Sequence, residues 1–425
     1  MDRRKFLNQT SAAAAALPLL GLSCSNPAIK EPQPLDLSSL SGETYWKALR
    51  TEFPMPAGEA YFNTGTMGAQ PTRVLNAVLD NMRNNAQNIA QCDYQGNGPL
   101  LLQGYEGFNG LRTKIAQLIH ANDFKEIALI QNATMGMNYI SNGLDFQPGD
   151  EFINTDQEHG GGFGGWRMAA KRYGLAYKEA HIPIPANDPQ EIFDNIFALV
   201  TPKTKVIAVP HILSTYGVVL PVKQICQEAR KRGIFTVVDG AQGVGHVPVD
   251  VQDIGCDAYY SSLHKWLLAP AGNGILYIRN EVVGDIWTVA ASYQWENEED
   301  HGLRLTQRGT GNVSLIVGLE AAVDFHNEVG SEKVIQRIKE LGDYLRAGLQ
   351  EISKVKIVSS VHPDMCAGIT TYLVEGMEPV EVQNEMWKRY KLQPRAAGKN
   401  GLRQSTHIYN QKEEIDKALE VIRSV

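Results

Sequence analysis

What is scarce in this chain narrows its class first. Its 425 residues include only five cysteines, Cys24, Cys92, Cys226, Cys256 and Cys366, spaced widely and irregularly. Such spacing makes neither a zinc-ligand pattern nor a dense disulfide framework, so buried free thiols are expected. Lys and Arg number 40 against 47 Asp and Glu, a formal net charge of −7, and no basic run occurs beyond the N-terminus. Phosphate-backbone binding needs clustered cations, so nucleic acid is not an expected partner. After residue 30 no apolar run is long enough to cross a bilayer, and no internal repeat is present. What remains is ordinary soluble composition, 43% hydrophobic and 20% charged. The length suits two domains, or one large α/β domain with an appendage.

The first residues stand apart. "MDRRKFLNQTSAAAAALPLLGLSCS" holds Arg3-Arg4, then Phe6-Leu7, then an Ala-rich apolar core from Ser11 to Leu22. This reads as an export signal over residues 1–25, too short for a stable span. RRKFL after a polar residue resembles the twin-arginine signal, the route for proteins exported already folded. Cys24 ends the apolar run where a lipidated cysteine would stand, although Gly21 replaces the larger aliphatic residue such sites favour. A periplasmic protein and a membrane-anchored lipoprotein both remain open. The Pro-rich stretch from Pro27 to Pro34 reads as a tether, continuing into an N-terminal arm over 26–59.

From about residue 125, short apolar runs alternate with amphipathic helices. Strands are predicted at EIALIQ (126–131), EFINTD (151–156), KVIAVPHI (205–212), IFTVVDGA (234–241), DAYYSS (257–262) and GILYIR (274–279). Helices are predicted near WRMAAKRYG (166–174), over 222–233 and over 331–352. Such alternation implies a mostly parallel sheet covered on both faces, with a ligand site at the carboxyl ends of its strands. Residues 60–305 form the expected large domain and 306–425 a smaller α+β domain.

One stretch carries most of the chemistry. FTVVDGAQGVGH puts Asp239 at the carboxyl end of an apolar strand, with Gln242 one short turn later. Alone, Asp239 would serve equally well as a turn residue or a helix cap. Lys265 lies between two apolar runs, just after Ser261, Ser262 and His264. A lone lysine would be a snorkelling surface residue. Together these groups suit one chemistry, that of pyridoxal 5′-phosphate. A desolvated lysine amine condenses with the aldehyde. An acid keeps the pyridine nitrogen protonated. Hydroxyls, an imidazole and a helix N-terminus hold the phosphate dianion.

VVDGAQGVGHVPVDVQDIGCDAYYSSLHKWLLAPAGNGILYIR (237–279) resembles the class V aminotransferases of the type I pyridoxal-phosphate fold. That family includes cysteine desulfurases and isopenicillin-N epimerases, and the resemblance covers about residues 60–425. It implies an α/β fold with a large cofactor-binding domain. It implies that Asp239 meets the pyridine nitrogen, Gln242 the ring hydroxyl, Ser262 and His264 the phosphate, and that Lys265 bears the cofactor. QNATMGMN (131–138) resembles the family's phosphate turn, with Ala133 and Thr134 at a helix start. QEHGG puts His159 where the family stacks a ring on the cofactor face. Ser214, in HILSTYG, stands where the desulfurases carry an Asn near a cofactor oxygen. QRGTGNVS resembles the segment by which one subunit lends a Thr, here Thr310, to its neighbour's phosphate, which implies a homodimer with shared sites. GLRQSTHIYN resembles the R-x-S motif before Tyr-Asn. Arg403 would clamp a substrate carboxylate there, followed by Ser405, Tyr409 and Asn410. YFNTGTMGAQP matches the family's N-terminal segment, and its Asn63 would reach the substrate.

A competing pattern is GGGFGG (160–165), which satisfies G-x-G-x-x-G, with Glu179 near the distance of a ribose-binding acid. A dinucleotide-binding oxidoreductase leaves Asp239, Gln242, His264, Lys265 and Arg403 unexplained, so the run is expected to be a glycine-rich loop giving room to a bulky substrate. The implied reaction is transamination or epimerisation at the amino-bearing carbon of an amino acid or peptide. A pyridoxal-phosphate-dependent lyase or desulfurase, and a non-catalytic binding protein, are the alternatives. PRAAGKNGLRQS contains no cysteine where one desulfurase branch keeps its nucleophile, and Cys366 leads into an apolar strand and reads as structural.

Overall fold

The computed structural model describes residue 37 and residues 39–93, 100–101, 107–306 and 309–425. The expected export signal, Cys24 and the whole Pro27 to Pro34 tether lie outside the described residues. Seven strands form the central sheet: β1 (Ile127–Ile130), β2 (Glu151–Thr155), β3 (Ala176–Ala180), β4 (Thr204–Pro210), β5 (Phe235–Asp239), β6 (Ala258–Ser262) and β7 (Gly274–Ile278). Their order is β1-β7-β6-β5-β4-β2-β3. Only β7 runs antiparallel, pairing with β1 and with β6. The other pairs are parallel, as the strand–helix alternation predicts.

Burial on both faces explains why these strands read as near-continuous apolar runs. Every residue of β1, β6 and β7 is buried. One face packs on a cluster including Leu129, Ile207, Val209, Val238 and Tyr259; the other packs on Phe152, Trp166, Val206, Val237 and Tyr260. The alternation of Val237 and Val238 between the two follows from the period-2 geometry of a strand. Register brings Pro210 opposite Asp239, and Asp239 opposite Tyr260, so the carboxyl ends of β4, β5 and β6 are level.

A second sheet is antiparallel throughout. It comprises β8 (Val355–Ile357), β9 (Ile369–Val374), β10 (Arg395–Ala396) and β11 (Leu402–Ser405), in the order β8-β9-β11-β10. The helix Ser331–Gln350 buries Leu341, Leu345 and Leu349 against it, at the spacing of one helical face. Two segments join a core remote from their place in sequence. Ala60 and Phe62 belong to the core of this second sheet, where Ala60–Tyr61 pairs in parallel with Leu392–Gln393. The helix Val313–Val329 gives Leu319, Ala322 and Val323 to the core beside the central sheet. Residues Leu40–Val425 form one compact unit.

Two sequence expectations change in detail, those for the glycine run and for Ser261. The helix predicted near 166–174 spans Gly160–Tyr173, so GGGFGG is its opening turns rather than a loop. Asn132 caps the helix Ala133–Gly143, its side chain accepting from the Met135 amide at 3.0 Å. The Ser261 hydroxyl donates to the Gly240 carbonyl at 2.7 Å and serves the sheet, not a ligand. Cys226, Cys256 and Cys366 are buried free thiols, as expected. No helix among the described residues is long and apolar enough to cross a membrane.

Candidate active site

A cavity of about 320 Å³ opens at the level ends of β4, β5 and β6. Asp239, the last residue of β5, lines it and is 8% exposed; its Oδ1 accepts from the Ala241 amide at 2.9 Å. Burial raises its pKa, against the pull of that amide and of Lys265. Lys265 lies in the loop between β6 and β7. Burial pushes its ammonium down to about 8, opposed by Asp239 and reinforced by Arg403 and Arg395. Among the described residues no carboxylate forms an ion pair with it.

The lysine loop is gripped from two sides. The Gly68 amide donates to the His264 carbonyl at 2.8 Å, and His407 Nε2 bonds the Trp266 carbonyl at 3.0 Å. A side chain at Gly68 would overlap the Lys265 carbonyl, so close approach requires glycine there. Leu268, buried, sits at φ 62° in the left-handed region. A branched residue there carries strain that the surrounding contacts hold in place.

The same cavity is lined by Ser262, His264, Ala133 and Thr134 on one side. The Ala133 amide, at the start of its helix, donates to Ser262 Oγ at 2.9 Å. The His264 Nδ1 atom is buried without a hydrogen-bond partner. Burial, then Lys265, lowers the pKa of this imidazole to about 4. A helix start, two hydroxyls and an orphaned ring nitrogen form a donor set suited to a phosphate group. His159 lines the cavity and also caps the helix Gly160–Tyr173, its Nδ1 accepting from the Gly161 amide at 3.1 Å.

The glycine run has its reason here. A Cβ at Gly161 would stand 2.6 Å from Thr134 Oγ1, and one at Gly162 would stand 2.8 Å from Asp239 Oδ2. Glycine lets the helix start press directly on the cavity wall. Glu179, the would-be ribose acid, instead accepts from Arg167 at 2.8 Å on an exposed strand.

Guanidinium groups stand at and behind another part of the lining. Arg403, 1% exposed on β11, donates through Nη2 to Asn63 Oδ1 and Thr66 Oγ1, both at 2.8 Å, and through Nη1 to the Ser214 carbonyl at 2.8 Å. Its Nε has no partner, and among the described residues no carboxylate pairs with it. Burial, then Arg395, lowers its pKa to about 9. Arg403 and Asn63 stand behind Gly65 and Thr66, which line the cavity with Ser214. Ser405 and Tyr409 are buried alongside, the Tyr409 hydroxyl bonded to Thr64, and Asn410 donates to the Tyr61 carbonyl at 3.1 Å. Thr310 does not line this cavity in its own chain; it borders a separate hollow with Gly309 and Asn273.

Sequence reasoning missed two titratable residues. Arg395 lines the cavity directly, and PRAAG was read only for its lack of cysteine. Glu158 precedes His159 and accepts from the Thr155 amide at 3.2 Å and hydroxyl at 2.9 Å. Burial, then the Asp239 carboxylate, raises its pKa to about 8. A larger cavity of about 590 Å³ lies at the amino ends of the strands, but its Lys205, Arg230 and Arg279 face no comparable lysine–acid pair. No metal-ligating cluster occurs among the described residues.

The sheet, the loop lysine facing a strand-end acid, and the phosphate-sized donor cradle together define the type I pyridoxal-phosphate fold. The chain belongs to the aminotransferase class-V family, whose model matches residues 66–418. That family is one of pyridoxal-phosphate-dependent enzymes. The chain is 30% identical over 329 residues to isopenicillin N epimerase of Streptomyces clavuligerus, covering 73% of this chain and 82% of that one. It is 28% identical to a probable cysteine desulfurase of Xylella fastidiosa, over 89% of this chain and 95% of the other. Among solved structures, a cystine C–S lyase in complex with its product cysteine persulfide aligns with TM-score 0.75 at 27% identity, over 87% of this chain and 99% of that one.

Proposed function

We propose that this pyridoxal-phosphate-dependent enzyme moves a proton at the amino-bearing carbon of an amino acid or peptide, as an aminotransferase or epimerase. The carrying observation is that a buried, low-pKa Lys265 and a buried Asp239 line one cavity, with Arg403 standing behind its Gly65–Thr66 lining. Bound pyridoxal phosphate would supply the electron sink that makes this carbon acidic. Asp239 would meet the ring nitrogen, where its carboxylate favours a cation. Gln242 and Ser214 would face the ring oxygen, and His159 the ring face. Ala133, Thr134, Ser262 and His264 would hold the phosphate, joined by Thr310 of a second copy in a homodimer. Arg403 would hold the substrate carboxylate by exchanging its present bonds to Asn63, Thr66 and the Ser214 carbonyl for it. Lys265, whose amine is held near neutrality by burial, would take the proton and return it.

Purified protein loaded with the cofactor should be yellow, and borohydride should bleach it. In deuterated water, an accepted substrate should gain deuterium at its amino-bearing carbon, while Lys265→Ala should lose both colour and exchange. No exchange with any amino acid or peptide would leave a binding protein and defeat the reading. Sulfide release from cysteine would replace it with desulfurase chemistry, which the buried Cys366 and the cysteine-free segment 394–405 do not favour.

We extend the proposal to location. A charged, phosphorylated cofactor does not cross a membrane freely, so a chain that folds around it before export suits the twin-arginine route. Arg3→Lys with Arg4→Lys should leave the protein inside the cell in fractionation, and an unchanged distribution would refute that route. Labelling with a radioactive fatty acid would show whether Cys24 is lipidated.

A further inference from the structure

We propose that Trp266 is a positioning residue that locks the side-chain amide of Gln242, so that its NH2 and not its carbonyl oxygen faces the cavity. The Trp266 indole N–H donates to Gln242 Oε1 at 2.6 Å. On its other side Gln242 Nε2 donates to the Gly65 carbonyl at 2.9 Å and approaches Ser214 Oγ at 3.3 Å. An indole can only donate and a backbone carbonyl can only accept, so both neighbours demand the same orientation. Trp266 and Gln242 are 1% and 2% exposed, and a flipped amide would bury a donor against a donor and an acceptor against an acceptor. The long contact to Ser214 leaves one N–H to serve an anionic oxygen in the cavity.

The indole is itself held. Its ring stacks on His246, with centroids 3.5 Å apart and planes 5° from parallel, and His407 lies on it at 5.7 Å. His246 Nε2 accepts from the Gly368 amide at 2.8 Å, so Nδ1 carries the proton and donates to the Gln242 carbonyl at 2.8 Å. Burial lowers the pKa of His246 and of His407 to about 3, so both rings flanking the indole are neutral in ordinary buffers. Gly245, at φ +82°, passes so close that an added Cβ would stand 2.7 Å from the Trp266 carbonyl. The indole thus has one position, and through it Gln242 has one orientation.

The inference rests on the reading above, in which Gln242 faces the cofactor's ring oxygen. That oxygen, deprived of a donor, becomes a stronger acceptor for the proton on the Lys265 nitrogen. The test is a pH titration of the visible band of the loaded protein, beside equilibrium binding of pyridoxal phosphate. Trp266→Phe keeps an aromatic ring beside His246 but removes the N–H together with part of the buried indole, so comparison with the same change in a second background is needed to isolate the N–H. Its band should titrate about one pH unit higher than wild type, the size of one hydrogen bond, with weaker cofactor binding. In a Gln242→Ala background the same change should move the titration no further. A shift of equal size in both backgrounds, or none in either, overturns the role given to Trp266. Gln242→Glu leaves the indole and its bond intact while turning an oxygen to the cavity, and should also titrate higher. If Gln242→Glu and Gln242→Ala both titrate as wild type, the placement of Gln242 itself is wrong. That result is distinct from a failure of Trp266 alone.

Discussion

The wall bearing Asp239, Gln242, Ser262, His264 and Lys265 comes from one stretch, 239–265, spanning two neighbouring strand ends. The wall that adjoins it, where Gln242 bonds the Gly65 carbonyl and approaches Ser214, is gathered from Gly65–Thr66, Ser214 and Arg395, with Arg403 behind, residues scattered over most of the chain. The first wall carries the acid Asp239, with Glu158, which does not line the cavity, beside it at the start of one helix. The second is cationic, and among the described residues its guanidinium groups pair with no acid. Burial works against the charge of both walls, raising the carboxyl pKa values and lowering that of Arg403. Each wall is therefore arranged for a ligand of opposite charge. Under the proposed function, the cofactor's cationic ring would meet the first and a substrate carboxylate the second.

Removing the group that faces both walls should have the largest effect. Lys265→Ala should lower turnover by at least about 10³-fold, as expected when a nucleophile and proton carrier is lost. Exchange into solvent should vanish with it, and survival of exchange would move the proton to another residue. Arg403→Lys tests the second wall alone. It keeps a charge but loses the fork, and should raise KM about 10- to 100-fold with little change in cofactor binding. An equal loss of cofactor binding would erase the division between the walls.

The same division explains what could be read from the sequence. The first wall was legible because parallel strands place their carboxyl ends level, so residues near in sequence become neighbours in space. Asp239, Gln242, Ser262, His264 and Lys265 all line the cavity as expected. Arg403 was legible only through a motif, since its partners Asn63, Thr66 and Ser214 lie far away in the chain. Arg395 carried no periodic signal on its two-residue strand. The glycine run misled because its residues have weak helix propensity. Packing against Asp239 and Thr134 overrides that preference, and the run is helical for a reason that lies in another part of the chain.

Two alanine substitutions separate packing from propensity within that run. Gly162→Ala should press on Asp239 Oδ2, destabilise by about 1–3 kcal/mol and weaken cofactor binding. Gly164→Ala meets nothing within 4 Å, and should stabilise the helix by about 0.5–1 kcal/mol without touching the site. Thermal melts with and without cofactor decide this. Equal signs for the two variants would show that the close approach at Gly162 is not what demands glycine.

The last test concerns the carboxyl pair Glu158 and Asp239. Glu158 has a folded-state pKa of about 8 against an ordinary 4.5, from burial first and Asp239 second. Between those values the folded protein holds a proton that the unfolded chain releases. Its contribution is therefore greatest at low pH and declines as pH rises through the interval. Protonated Glu158 and a glutamine have nearly the same shape and hydrogen-bonding groups. In the cofactor-free protein, Glu158→Gln should match wild type at the acid end, become progressively more stable than wild type as pH climbs to about 8, and hold a constant advantage beyond. Stability curves at several pH values give the difference directly. A difference independent of pH would mean that Glu158 is already ionised beside Asp239. The acidic wall would then carry two charges, and the cofactor's ring would have to offset both rather than one.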